Sequence, residues 1–171
     1  MSYFNQFGTI LYDPAGDGSA KLCTDIMSRV RIRASMKKEI VMLDTYAVKE
    51  NETPEIVADK HHGSPYYHWV VMLLNDISDV NHDWVKSTRQ LQKYLLTKYT
   101  EAQLTETHHF EISQTSGDTT TKIEVENATY PSASIVTNYE YEVALNDSKR
   151  QINLLRNDYL GFFTEEFASL I

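Results

Sequence analysis

The chain has 171 residues, 42% of them hydrophobic and 23% charged, with a formal net charge of −8, a composition suited to one folded core or a core with appendages. Its single cysteine, Cys23, excludes an internal disulfide. The opening MSYFNQFGTILYD has neither a basic start nor a signal-length apolar run, and no stretch approaches the ~20 apolar residues of a membrane span, so a chain kept in the cytosol or in an assembly built there is expected. The charge is uneven: residues 1–100 carry twelve Lys/Arg against twelve Asp/Glu, and residues 101–171 carry four against twelve. An acidic third disfavours nucleic acid, whose binding is driven by basic side chains releasing counterions. It reads either as a solvated face or as a surface for a basic protein.

Residues 1–27 hold Tyr3, Phe4, Phe7 and Tyr12 and then the turn-forming Asp13-Pro14-Ala15-Gly16-Asp17-Gly18. The segment is expected to be an arm lying on a surface, either its own or a partner's. From Ser28 to Met36 the residues alternate, with Arg29, Arg31 and Arg33 on one side and Val30, Ile32 and Ala34 on the other, which predicts a half-buried strand. The arginine face is either solvated or a basic stripe for an acidic partner. Ile40 to Val48 reads as a second strand.

Two helix openings follow. Thr53 ahead of Pro54 and Ser64 ahead of Pro65 each supply a side-chain cap and a proline at a position whose N–H has no partner. Glu55 suits the positive end of the first helix dipole, and Gly63 suits a left-handed stop. Both helices are too short to stand alone, and the run Trp69-Val70-Val71-Met72-Leu73-Leu74 predicts that the second is covered on most sides. Asp76 to Asp83 is a polar connection leading to Trp84. Ser87 with Gln90 forms a capping box for a helix reaching about Tyr99.

Farther along, Phe110–Ser113 and Lys122–Glu126 are alternating runs joined by Gln114-Thr115-Ser116-Gly117-Asp118-Thr119, which predicts a β-hairpin. Residues 127–137, with Pro131, read as a loop. Asn138 to Arg150 reads as a helix or, through Tyr139-Glu140-Tyr141-Glu142-Val143, as a strand. Gln151–Leu155 is short and apolar. Asp158 to Leu170 predicts a terminal helix with Leu160, Phe163, Phe167 and Leu170 on one side, and Gly161 as a local cost.

The order Thr53-Pro54-Glu55-Ile56-x-Ala58, then Gly63, then His68-Trp69-Val70-Val71-x-Leu73-x-Asn75 resembles a LysM-like helix pair. It resembles in particular the baseplate wedge protein of contractile-tailed bacteriophages, which is built around such a module. Thr45-Tyr46-Ala47-Val48, Asp83-Trp84 with the helix after it, Tyr139 to Glu142, Lys149-Arg150-Gln151-Ile152 and Leu154-Leu155 share the likeness. It spans roughly residues 25–171 and is strongest over 44–99. The resemblance implies an α+β fold: a LysM-like strand–helix–helix core with an N-terminal arm, a β-hairpin and a C-terminal helix. It is drawn as 1–39 (arm and lead-in strand), 40–100 (module and following helix) and 101–171 (hairpin and acidic helical region). It also implies a non-enzymatic structural subunit of the virion baseplate, assembled in the host cytoplasm. Its partners would be other wedge subunits and neighbouring copies of itself, without nucleic acid, membrane or small-molecule substrate. Tyr3, Phe4, Phe7, Arg29, Arg31, Arg33, Tyr66, Tyr67 and Trp84 are the candidate partner contacts.

The competing reading is capture of N-acetylglucosamine chains of peptidoglycan in a LysM-type groove formed by Asn51, Glu52 and Thr53 before the first helix and Asn75, Asp76 and Ile77 after the second. Against it, the chain lacks the usual glycine in the first loop, lacks a strand closing the module directly after the helix pair, and has no linker or attached enzyme. Asn75 is expected to stop its helix and bond back to the first loop, and Trp69 to be a core anchor. Other chemistry finds little footing. Adjacent histidines (His61-His62, His108-His109) lack the i, i+4 spacing of helical metal ligands, so no metal and no cofactor are expected, and His62 is expected to fill the corner beside Gly63. Glu52, Glu55 and Asp59 are explained by the helix start rather than as a glycosidase pair, and no GxSxG elbow is present. A DNA-reading helix–turn–helix would need polar residues where Trp69 to Leu74 stand.

Overall fold

Backbone chemistry around residues 53–63 sets the first helix. The Thr53 side chain accepts the N–H of Ile56, Pro54 occupies the first turn, and Gly63 turns left-handed at φ 72° while donating to the Asp59 carbonyl. The result is α1, Pro54–His62. Ser64 caps a 3₁₀ turn over Pro65–Tyr67, which runs straight into α2, His68–Leu74. The expected second helix thus begins as a 3₁₀ turn of three residues, and Trp69, Val70, Val71 and Leu74 are buried along its α-helical part. The structure, a computed structural model, describes residues 3–28, 30–32, 40–115, 117 and 120–170.

The chain forms two compact units, residues 1–84 with 151–171, and residues 85–150; the sequence divides instead at 39/40 and 100/101. The first unit opens with a 3₁₀ turn over Tyr3–Gln6 and an antiparallel hairpin of β1 (Thr9–Tyr12) and β2 (Lys21–Thr24). β3 (Leu43–Ala47) follows a 3₁₀ turn at Ile40–Met42, so the strand expected from Ile40 starts three residues late. Of the strand expected over 28–36, Ser28, Val30, Arg31 and Ile32 carry no regular structure, and the other positions lie outside the described residues.

β3 pairs antiparallel with β7 (Gln151–Leu155), from Leu43 opposite Leu155 to Ala47 opposite Gln151. β3, α1, α2 and β7 thus come in that chain order, and β7 arrives only after residue 150. A short α3 (Val80–Asp83), capped by Asp79, sits in the polar connection. The unit ends in α7 (Asn157–Leu170). Its core is Phe7, Trp69, Val70, Leu74, Leu155 and Phe167, with Tyr3, Leu160 and Phe163 packed against it. Trp69 and Phe167 have ring centroids 4.6 Å apart, and Tyr3 lies 5.6 Å from each. The first turn of the arm thus belongs to the chain's own core. Leu170 is exposed, contrary to the terminal-helix stripe, because the packed surface ends at Phe167.

In the second unit, Ser87 and Gln90 cap α4 (Thr88–Lys98) reciprocally, as their spacing predicts. A second capping box, Thr100 with Gln103, starts the short α5 (Glu101–Leu104). The predicted hairpin is present as β4 (Thr107–Ser113) and β5 (Lys122–Val125). A third strand, β6 (Ser134–Thr137), pairs with the other edge of β4, where a loop is expected. Thr137 then caps α6 (Asn138–Ser148) in a third box with Glu140, which resolves the helix-or-strand alternative as helix. The fold is α+β. Among the described residues no helix is long and apolar enough to cross a membrane.

Candidate functional site

Two loops flank the helix pair, and each turns through a left-handed residue, Asn51 at φ 63° and Asp76 at φ 55°, a conformation that asparagine and aspartate tolerate better than most side chains. Glu52, next to Asn51, is buried. Its carboxylate accepts the Lys49 N–H at 2.8 Å, the Tyr46 hydroxyl at 2.9 and 3.0 Å to its two oxygens, and the Lys60 ammonium at 2.6 Å. Burial pushes this carboxyl up, but the donors, led by Lys60, more than offset it and hold it below the ordinary value. Burial, and then the bond to Glu52, raises the Tyr46 hydroxyl.

Trp84 closes the same corner. It is 5% exposed, and its indole N–H donates to the Glu52 backbone carbonyl at 2.7 Å. Trp84 is therefore an internal anchor and not a partner contact, because its ring edge completes the first loop. After α2, the Asn75 amide donates to the carbonyls of Val71 and Asn153, both at 2.8 Å, and its oxygen accepts the Asn153 N–H at 2.9 Å. Asn75 stops its helix as expected, but it ties α2 to β7 and not to the first loop, since β7 is the strand beside it. The Ile77 N–H bonds the Met72 carbonyl.

Asp76 and Ile77 line a depression of about 560 Å³ with Tyr3, Arg31, Met72 and Leu73, and Asn51, Glu52 and Thr53 are not part of its wall. Glu52 and Asn75 spend their polar atoms inside the chain, and Thr53 caps α1.

The contact candidates divide similarly. Phe4 (54% exposed), Arg31 and Tyr66 face solvent, Tyr3 and Tyr67 are half-buried, and Phe7 is in the core. Phe7 is an internal packing residue and not the surface contact the sequence suggests, because its ring lies against Tyr3 and Phe167. Arg29 and Arg33 lie outside the described residues.

The histidine pairs have local partners. His61 Nε2 lies 3.0 Å from the Leu155 carbonyl and His62 Nδ1 lies 2.8 Å from Asn157 Oδ1, while the Asn157 amide donates to the His61 carbonyl. The end of α1 is thereby fastened to the start of α7. Burial holds His62 below the usual imidazole value, partly countered by its bond to Asn157. His108 stacks on Tyr141 with centroids 3.8 Å apart, and its Nδ1 lies 2.8 Å from that of His109. Among the described residues no group of three or more His, Cys, Asp or Glu is arranged to hold a metal ion.

A second buried carboxylate escapes sequence reading altogether. Glu142 on α6 takes the Lys98 ammonium at 2.5 Å and the Tyr99 hydroxyl at 3.2 Å, and that bond raises the lysine. The Tyr–Glu alternation of 139–142 hid it, because a helix interior turns Glu142 inward while Glu140 caps. The Glu52 carboxylate and the Asn75 amide thus serve the fold, while Asn51, Thr53 and Asp76 are exposed. A protein family model described as base plate wedge protein 53 matches residues 23–130. The comparison with curated proteins returns no match.

Proposed function

The chain belongs to the base plate wedge protein 53 family, and from that premise we propose that it links neighbouring wedge subunits of a contractile-tail baseplate by protein–protein contacts made around a LysM-like core. Family membership is the observation that carries the reading: it makes the chain a structural baseplate protein of the phage tail. The finer role is supported by what the surface offers. Phe4 and Tyr66 are large apolar groups left in water, of the type enriched where proteins meet. Arg31 lies exposed between them in sequence. Other wedge proteins, and neighbouring copies of this chain, are the partners this reading expects, with assembly in the host cytoplasm.

The LysM-like part rests on element order. β3, α1, α2 and β7 follow one another as strand, helix, helix and strand, with the two strands antiparallel. The closing strand looked missing after α2 because residues 85–150 form a unit of their own ahead of it. Glycan capture, the usual work of such modules, is disfavoured by the chemistry of the loops. The Glu52 carbonyl is taken by Trp84, the Asn75 side chain by β7, and the depression lined by Asp76 and Ile77 does not include Asn51, Glu52 or Thr53. Affinity capture of the tagged chain from infected cells, beside incubation with purified peptidoglycan sacculi, tests both readings. Recovery of wedge proteins without retention on sacculi is the expected result. Retention on sacculi with no tail protein recovered would overturn the proposal in favour of glycan binding.

A further inference from the structure

The sheet of the second unit ends in β5 (Lys122–Val125), which has β4 on one side and, among the described residues, no strand on the other. Lys122, Ile123 and Glu124 are exposed. The phase of the hydrogen bonds decides which backbone groups face out. The Gln114 N–H donates to the Thr121 carbonyl at 2.9 Å. Bonded pairs alternate along an antiparallel ladder, so Ile123 opposite Ile112 and Val125 opposite Phe110 also bond inward. Lys122 and Glu124 therefore turn their N–H and C=O groups away from β4, at an edge able to take another strand. Their side chains share one face, and Ile123, 44% exposed, lies on the other. On the charged face Glu124 stands directly opposite Glu111, a like pair that works against the sheet. Lys122 lies 3.6 Å from Glu111 and serves that member of the pair. A cation delivered to the outer side of Glu124 would serve the other.

We propose that β5 pairs antiparallel with β5 of a second copy of this chain, about a twofold axis at Ile123, joining two three-stranded sheets into one of six strands. The register follows from the backbone and the charges together. Within β5 only Lys122 and Glu124 offer outward groups, so a bonded pair can set Lys122 on Lys122, Glu124 on Glu124, or Lys122 on Glu124. The first two bring like charges face to face. The third sets Lys122 of each copy against Glu124 of the other, with both backbone bonds exchanged at each pair and the two Ile123 side chains side by side. Edge charges bar unregistered pairing, and these admit one register. Such a contact is isologous and closes at two copies. The other edge, β6, carries no charge to fix a register. Residues 85–150, the unit that holds β5, carry seven Lys/Arg against nine Asp/Glu, so it meets its copy with little net repulsion. A four-residue edge is small, so the pairing is weak in free solution and gains where an assembly holds copies close. The inference goes beyond the wedge reading and does not rest on it, because the chain alone should pair.

Disulfide trapping in the purified full chain reads the register. Cys23 is exposed and is the chain's one cysteine, so each variant is made in a Cys23→Ser background. Residues opposed at a non-bonded antiparallel position have Cα atoms about 4.5 Å apart, within disulfide reach, whereas the two copies of residue 122 are offset along the strands beyond the ~7 Å limit. Under mild oxidation at high protein concentration, Ile123→Cys should form a disulfide dimer at least about tenfold faster than Lys122→Cys. Lys122→Cys and Glu124→Cys chains, each slow alone, should cross-link to one another when mixed. Sedimentation equilibrium supplies the second readout. Lys122→Glu should weaken dimerisation at least about tenfold, and adding Glu124→Lys should restore it to within about twofold of the parent, since the swapped charges again face their opposites. Ile123→Cys cross-linking no faster than Lys122→Cys would overturn the proposal, whatever the stability of the charge variants. So would a double swap as weak as the single reversal, or association that runs on past two copies, which would join unlike edges. Each of these failures leaves the wedge reading standing, because capture of other wedge proteins does not depend on β5.

Discussion

Glu52 is a negative charge taken out of water and more than compensated for it, through one backbone N–H, one phenol and one ammonium. Removing it as Glu52→Ala leaves the Lys49 N–H and the Tyr46 hydroxyl without their acceptor, which should cost about 2 kcal/mol in urea unfolding. Lys60→Met should cost less, because that side chain is more than half exposed and two donors to the carboxylate remain. The carboxyl sits below its ordinary value of 4.5, so its stabilisation is complete above that pH and is lost as pH falls through the folded value. Glu52→Gln should therefore flatten the acid limb of the stability profile. His62 has the same sign for a different cause. Burial holds it below 6.5, the folded state resists its proton, and stability should fall as pH drops from about 7 toward about 5. Melting temperatures of parent and His62→Gln across that range check this. A parent whose loss of stability with falling pH is no steeper than the variant's would exclude strain at the α1–α7 junction.

Between elements, Asn75 works as a clamp. One amide bonds the Val71 carbonyl in the last turn of α2 and makes two hydrogen bonds to the Asn153 backbone of β7. Asn75→Ala should cost about 2–3 kcal/mol, since carbonyls and an N–H are stranded away from water. Asn75→Asp should be no better, as it turns a carboxylate toward the Val71 and Asn153 carbonyls; equal stability of parent and Asp variant would show that the amide donors contribute nothing. The stop at Asn75 was legible, and its partner was not. Signals confined to a few residues carried through: Thr53, Ser64 and Ser87 cap where their spacing places them, Gly63 turns left-handed, and the apolar run from Trp69 is buried. Long-range pairing carried no such signal. Nothing in Gln151-Ile152-Asn153-Leu154-Leu155 names Leu43–Ala47 as its partner a hundred residues earlier, and β6 is four residues long just after Pro131. Trp84 was misplaced for a related reason. A tryptophan in a polar connection looks exposed until the fold brings the Glu52 carbonyl to its N–H.

For the whole chain, the first unit is discontinuous, so a fragment cut at the sequence boundaries is incomplete. Residues 40–100 contain β3, α1 and α2 but lack β7 and α7, and with them Ile152, Leu154, Leu155 and Phe167 of the buried core. They also lack Phe7 and Tyr3 from the other side of Trp69. What remains is a lone strand with four helices, α1 to α4, none longer than eleven residues, and the buried face of α2 has lost its cover; helices and a strand of this size are not stable alone. The fragment should show no cooperative melt and no dispersed amide spectrum. A fragment of residues 1–150 should be little better in its first unit, because β3 still has no partner strand. Adding a peptide of residues 151–171 should then restore a cooperative transition, since that one segment supplies the closing strand, the Asn153 partner of Asn75 and the Phe167 ring beside Trp69. Cooperative folding of residues 40–100 on their own would show that the helix pair is self-sufficient, and that the late closing strand is an addition to the core and not a part of it.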